Sequence, residues 1–267
     1  MQGRYSGGIM RNINCIVALD YQDMSSKAAQ LIAAQLQSKP DSLLGLATGS
    51  TPVGMYQNLV SLYRKGAISF DQASSVNLDE YVGLQGEHPQ SYRYFMQQHL
   101  FDQVDIQLHN THLPDGTAED VAAECSRYDR LIEELGRADI QVLGLGHNGH
   151  IAFNEPSQSF SGNTHCVVLT DSTIEANRRF FQQGEQVPSH ALTMGIKQIM
   201  GARQIILLVS GGQKAQILHR AMTGEITPMV PASVLQLHPC VTVIADIPAL
   251  ACFDKEELDG EAYAVGV

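Results

Sequence analysis

Residues 141–156 read QVLGLGHNGHIAFNEP. They place an apolar run, three glycines (Gly144, Gly146, Gly149), two histidines (His147, His150), Asn148 and Glu155 within sixteen positions. Glycine admits backbone conformations and close approaches that a Cβ obstructs, so the turn after the run is free to face a ligand. His150 lies close to Asn148 and Glu155, and a turn is enough to bring imidazole, amide and carboxylate together. Imidazole titrates near neutrality, and a neighbouring carboxylate fixes its tautomer and stabilises its cation. These residues are equipment for acid/base chemistry.

Three other readings compete for the segment. Its glycines match G-x-G-x-x-G after a strand, the dinucleotide fingerprint, and Asp171 lies 22 positions past Gly149, near where a ribose-binding acid is expected. That reading needs a helix directly after the last glycine. The continuation HIAFNEPSQSFSGN instead carries Pro156, Gly162 and no helical apolar stripe. A zinc site from His147, His150 and Glu155 is weaker, because H-x-x-H in a glycine turn lacks the i, i+4 helical spacing of metalloprotease ligands and no cysteine cluster supports it. The plainest reading is a glycine-rich connector.

The elements that must position these groups are those of a soluble α/β protein. The chain has 267 residues, 44% hydrophobic and 17% charged, enough for a substantial core. Its net charge of −11 and only 17 lysines and arginines argue against a nucleic-acid surface. No apolar run is long enough to span a membrane. MQGRYSGGIMRN has no apolar signal region and residues 1–12 read as a loose tail, so the cytoplasm is the expected location. Five cysteines without C-x-x-C spacing suit reduced thiols.

Apolar runs and helical patterns alternate throughout, without internal repeat or linker. Strands are expected at Asn14–Leu19, Leu43–Ala47, Ser75–Leu78, Gln141–Leu145, Val167–Leu169, Ile205–Val209 and Val241–Ala245. Helices are expected at Met24–Gln37, from Pro52 to near Gly66, at Pro89–Phe101, at Ala118–Leu135 with Thr117 and Asp120 in capping-box positions, and near Ile174–Phe181, Lys214–Met222 and Ala232–Leu237. The pattern predicts one doubly wound, mostly parallel sheet with helices on both faces, a Rossmann-like three-layer sandwich over residues 13–267.

In such sheets ligands bind outside the carboxyl ends of the strands. Four polar or glycine-rich segments fall there: TGSTP, DEY, GHNGH and SGGQK. Thr48, Gly49, Ser50 and Thr51 precede a helix N-terminus, where free N–H groups and the macrodipole favour a phosphate; a plain capped helix is the alternative. No Gly-Lys-Ser/Thr follows, so this is not a Walker loop. Lys214 and Arg178 or Arg179 are candidate cations for that phosphate. Asp79 and Glu80 follow an apolar strand, so at least one carboxylate should face the pocket. Burial or a hydrogen-bonded neighbour must tune it before it can remove a carbon-bound proton. With His150 it makes two acid/base groups beside a phosphate cradle, the minimum for enolising a sugar phosphate.

TGSTPVGMYQ, NLDEYVGL with HPQSYRYF, GLGHNGHIAFNEP, ANRRFF, ALTMGI and SGGQKA occur in the order and approximate spacing of the glucosamine-6-phosphate deaminase family, which the chain resembles over nearly all of residues 13–250. The resemblance implies conversion of glucosamine 6-phosphate and water to fructose 6-phosphate and ammonia, without metal or organic cofactor. It assigns Asp79 as the base that takes the C2 proton and returns it to C1, and His150 as the ring-opening group, with Glu155 orienting or recharging it. It assigns phosphate to the Thr48–Thr51 loop, Arg179 and Lys214, and makes residues 156–189 a mobile lid. In the related galactosamine-6-phosphate deaminase/isomerases Trp tends to replace Tyr81 and Leu-Asn-Glu-Pro follows the glycine turn. The related 6-phosphogluconolactonases lack AFNEP and typically carry arginine after Asp-Glu. A sugar-phosphate-sensing regulator domain would need a basic helix-turn-helix, for which there is no room before Ile13.

Two departures carry expectations. Many bacterial deaminases have aspartate where this chain has Asn148, which orients His150 by hydrogen bonding but shares no negative charge with it. Allosteric hexameric members place basic residues soon after the NEP turn, where this chain has Asn163, Thr164, His165, Cys166 and Val167. A homo-oligomer stays open, and activation by N-acetylglucosamine 6-phosphate is expected to be weak or absent.

Overall fold

The computed structural model describes residues 13–179, 181–182, 184–254 and 258; the expected tail at 1–12 lies outside them. The chain runs β1 (Ile13–Ala18), α1 (Tyr21–Ser38), β2 (Leu43–Leu46), α2 (Val53–Arg64), β3 (Ser74–Asn77), β4 (Asp79–Tyr81), α3 (Tyr92–His99), β5 (Thr111–His112), α4 (Val121–Leu135), β6 (Ile140–Gly144), β7 (His165–Val168), α5 (Asp171–Arg178), β8 (His190–Thr193), α6 (Ile196–Met200), β9 (Gln204–Val209), α7 (Ala215–Thr223) and β10 (Val241–Asp246). Seven strands form a parallel sheet in the order β1-β10-β9-β6-β2-β3-β5.

From β2 the chain walks outward to β3 and β5, then returns to β6 on the other side of β2 and walks through β9 to β10. The direction reverses between β2 and β6, so their carboxyl ends splay apart and open a crevice. The fold class is the doubly wound one expected. The central strands are buried along nearly their whole length: LLGL in β2, IILLV in β9 and VTVIAD in β10 have no exposed residue. Such strands read as continuous apolar runs rather than alternations, which is why sequence pattern finds them.

Helix starts were less legible. The helix expected from Pro89 begins at Tyr92, because the Ser91 side chain caps it through the Tyr94 N–H. The helix expected from Ala118 begins at Val121, capped by Asp120 through the Ala123 N–H. The Thr117 hydroxyl is not a cap; with its own N–H it donates to Asp115. The helix expected at Ile174–Phe181 lies three residues earlier, with Thr170 as its N-cap. The segment expected as a helix at Ala232–Leu237 is a 3-10 helix, Pro231–Leu237.

A second, three-stranded antiparallel sheet in the order β4-β8-β7 was not expected. One residue, Leu78, separates β3 in the large sheet from β4 in the small one, and its carbonyl accepts the Met194 N–H just past β8. The segment 156–189 is therefore not a free loop. Its β7 pairs along β8, and the Thr164 N–H before it donates to Asp129 on α4. Tyr81, Phe153, Leu169 and Ala191 form an apolar cluster of their own beneath α5, apart from the main core.

Candidate active site

A cavity of ≈ 920 Å³ opens at the switch point. Thr48, Gly49, Ser50 and Thr51 line it after β2, Asp79 from β4, His147, Asn148 and His150 after β6, Arg179 after α5, and Ser210, Gln213 and Lys214 after β9. The four segments expected to converge do so. Arg178, the neighbouring candidate, turns to solvent and pairs with Glu175 at 3.0 Å.

The Thr48–Thr51 loop is held open. Pro52 occupies the N-cap position of α2 and no side chain caps the first turn, so the capped-helix alternative does not describe it. Gly49 has φ +90°, which only glycine adopts without strain. Tyr21, the first residue of α1, ties the loop together: its hydroxyl donates to the Ser50 carbonyl at 3.1 Å and accepts the Gly54 N–H at 2.9 Å. Lys214 enters from the opposite wall. Its ammonium donates to the Leu145 carbonyl at 2.7 Å, and burial first, then the Arg179 charge, brings its pKa down to about 8.

Asp79 and Glu80 divide between two faces, because successive side chains of a strand point to opposite sides. Asp79, 5% exposed, faces the cavity. Burial and the adjacent Glu80 charge push its carboxyl up to about 8, opposed by a hydrogen bond with the Thr48 side chain. Glu80 turns away and accepts three backbone N–H groups, from Tyr81, Tyr92 and Arg93, at 2.9, 2.9 and 3.0 Å. Burial raises its carboxyl, while those donors at the start of α3 favour its ionised form. Glu80 thus fastens β4 to α3.

The GHNGHIAFNEP turn folds back on itself. Gly146 is obligatory, since a Cβ there would lie 2.2 Å from His150 Cδ2. The Asn148 side chain accepts the His150 N–H at 3.2 Å and donates to Glu155 Oε2 at 2.5 Å, while His150 Nδ1 lies 3.4 Å from the same oxygen. The other Glu155 oxygen accepts the Thr173 hydroxyl. Burial alone would raise Glu155, but the hydrogen bond and charge of His150, with Thr173 and Asn148, bring it down to about 2. Glu155 does not line the cavity; it stands behind His150, 7% exposed. Ala152 has φ 51°, an uncommon conformation for a residue with a Cβ. Bonds on both sides hold it: Phe153 N–H donates to the Thr193 hydroxyl, and the Asn154 amide donates to the Ile151 and Met194 carbonyls.

Sequence reasoning missed three supports. Tyr21 lay outside the expected first helix, and Thr173 at the start of α5 had no visible link to Glu155. Asp246, the last residue of β10, is buried and accepts the Ser210 hydroxyl and the Gly211 and Ala249 N–H groups, fixing the loop that carries Lys214. A polar residue at a strand's carboxyl end was the signal that singled out Asp79, and it was present at Asp246 too. Among the described residues no cluster of His, Cys, Asp and Glu suits a metal ion, and no helix is long and apolar enough to cross a membrane.

Residues 20–243 match the family described as glucosamine-6-phosphate isomerases/6-phosphogluconolactonase. The chain belongs to this family. Within it, the chain is 55% identical over 229 residues to a glucosamine-6-phosphate deaminase of Lachnoclostridium phytofermentans, covering 86% of this chain and 97% of the relative. A solved monomeric glucosamine-6-phosphate deaminase is 43% identical, with a TM-score of 0.87 over 89% of this chain and 99% of that one. A 6-phosphogluconolactonase from Trypanosoma cruzi, 18% identical with a TM-score of 0.72 over 92% and 98% of the two chains, shares the family fold.

Proposed function

We propose that the protein is a cytoplasmic enzyme of amino-sugar catabolism that converts glucosamine 6-phosphate and water into fructose 6-phosphate and ammonia. The observation that carries the reading is the buried Asp79 carboxyl, facing the same cavity as the His150–Glu155 pair and the Thr48–Thr51 loop. The phosphate sits on the Thr48–Thr51 loop, Lys214 and Arg179, which leaves the sugar carbons between Asp79 and His150. His150, oriented by Glu155 and Asn148, moves the proton that opens the pyranose ring. Asp79 takes the C2 proton to give an enolamine and returns it to C1, and water then hydrolyses the resulting C2 imine to ketone and ammonia. A carboxyl pushed up to about 8 is a far stronger base than an ordinary carboxylate, as removal of a carbon-bound proton requires.

Residues 156–189 act as the cover, and β7 limits what moves. The ladder with β8 anchors the first part, so the moving portion is α5 with Arg179 at its end, which brings Thr173, Asn177 and Arg179 to the cavity. Closure brings Arg179 to the phosphate and excludes bulk water from the enolamine. The deciding experiment is ammonia release from glucosamine 6-phosphate and, separately, galactosamine 6-phosphate. Release from the first is expected, release from the second alone changes the epimer, and release from neither overturns the reading.

A further inference from the structure

A second cavity of ≈ 390 Å³ lies behind β4, lined by Glu80 where the larger one is lined by Asp79; the two cavities share no lining residue. Its walls are Arg93 near the start of α3, the segment from Thr111 to Gly116, and Arg127 and Leu131 on α4. The acids there already have donors. Glu80 accepts the three backbone N–H groups described above, and Asp115 accepts the N–H and hydroxyl of Thr117. Arg127 has a partner as well, spending Nε and one terminal nitrogen on Glu124 at 2.6 and 2.7 Å.

Arg93 differs. Among the described residues its guanidinium makes no hydrogen bond or ion pair, and its charge reaches the Glu80 and Asp115 carboxylates only through space, although it lines a concave, partly buried cavity. Its aliphatic stem packs on Gly86, where an added Cβ would lie 2.9 Å from Arg93 Cδ. Burial first, then the charges of Arg127, Arg93 and His109, hold His112 below its ordinary pKa, so its imidazole is neutral near pH 7 and able to donate or accept. Both arginines act on His112 and on Asp115, which places these groups around one space. A guanidinium presents a planar fork of donors matched to carboxylate and phosphate oxygens. The volume falls at the small end of ligand pockets.

We propose that this cavity is a second ligand site, in which Arg93, with Arg127 and His112 beside it, holds the oxyanion group of a small anionic metabolite. The site does not depend on the deaminase reading. The test is equilibrium dialysis of the full chain against radiolabelled inorganic phosphate, and separately against labelled malonate, for wild type, Arg93→Gln, Arg93→Lys and Lys214→Gln. Wild type is expected to bind a second anion that survives Lys214→Gln, weakens at least about tenfold in Arg93→Gln and weakens less in Arg93→Lys, which keeps the charge and loses the fork. Phosphate at this site identifies a phosphate ester as the ligand, and malonate alone identifies a carboxylate. A single anion site abolished by Lys214→Gln, or a second site indifferent to both Arg93 substitutions, overturns the proposal. Ammonia release from the same variants reports on the other cavity, so the two readings fail separately.

Discussion

Asp79 shows what a buried carboxylate does to a protein that keeps it. Its folded-state pKa of about 8 lies above the ordinary value of 3.8, so the folded state holds a proton that the unfolded chain releases. Stability therefore falls as pH rises from about 4 to about 8, by an amount on the order of several kcal/mol. Asp79→Asn removes this penalty along with the base. Its melting-temperature advantage over wild type should widen across that pH window and then level off, while exchange of the substrate's C2 hydrogen with solvent disappears. An advantage independent of pH would discard the buried-base account, and retained exchange would remove Asp79 from its role. The proposed mechanism also sets a pH profile. It needs Asp79 ionised and Lys214 protonated in the free enzyme, each with a pKa of about 8, so kcat/KM should follow a narrow bell centred near pH 8. Lys214→Arg should move the alkaline limb upward, and an unmoved limb would show that Lys214 does not set it.

At the scale of elements, the site depends on turns and helix ends that carry no reacting atom. Gly146→Ala forces a methyl into the His150 ring, and the ring must swing away from Glu155. The expected result is a loss of kcat of about 10²-fold or more, the size of a general acid/base contribution, in a protein that still folds. Tyr21→Phe loses both hydrogen bonds that close the Thr48–Thr51 loop onto α1. At roughly 1 kcal/mol each, this should raise KM by up to about thirtyfold while kcat changes by less than a factor of about three. A fall in kcat with unchanged KM would mean that Tyr21 serves the chemistry rather than the phosphate. The small antiparallel sheet belongs to this scale as well. It pairs β7 along β8 and leaves α5 on a satellite apolar cluster, the arrangement that the proposed cover requires.

For the whole molecule, the doubly wound sheet gathers loops from β2, β6 and β9 at one crevice, and the small sheet adds Asp79 from the side. Regulation is a property of this scale. After the NEP turn, Asn163 and His165 stand where effector-binding cations were sought, and the His165 ring is engaged with the Asn163 carbonyl at 2.9 Å. Hyperbolic kinetics unaltered by N-acetylglucosamine 6-phosphate are expected; sigmoidal kinetics abolished by that compound would contradict this. With a net charge of −11, the proposed phosphate recognition rests on local geometry: a helix start without a side-chain cap, a half-buried lysine and Arg179 after α5.

The sequence by itself determined six of the seven strands of the large sheet and the loops that meet at its carboxyl edge; it missed the two-residue β5, and the strand it placed at Val167–Leu169 belongs to the small sheet. Long apolar runs and glycine turns are local signals, and a doubly wound sheet sends their ends to one place. It also supplied Asp79, Asn148, His150, the Thr48–Thr51 loop and Lys214 as residues of one pocket. The residue pattern left open which carboxylate of Asp79 and Glu80, and which of Arg178 and Arg179, faces that pocket; the family resemblance named Asp79 and Arg179, and the tertiary structure shows both at the pocket and Glu155 behind His150. β4 is three residues long and largely polar, and its partner β8 lies about 110 positions away. No local pattern records such a pairing, and a one-residue change of register would exchange the two faces.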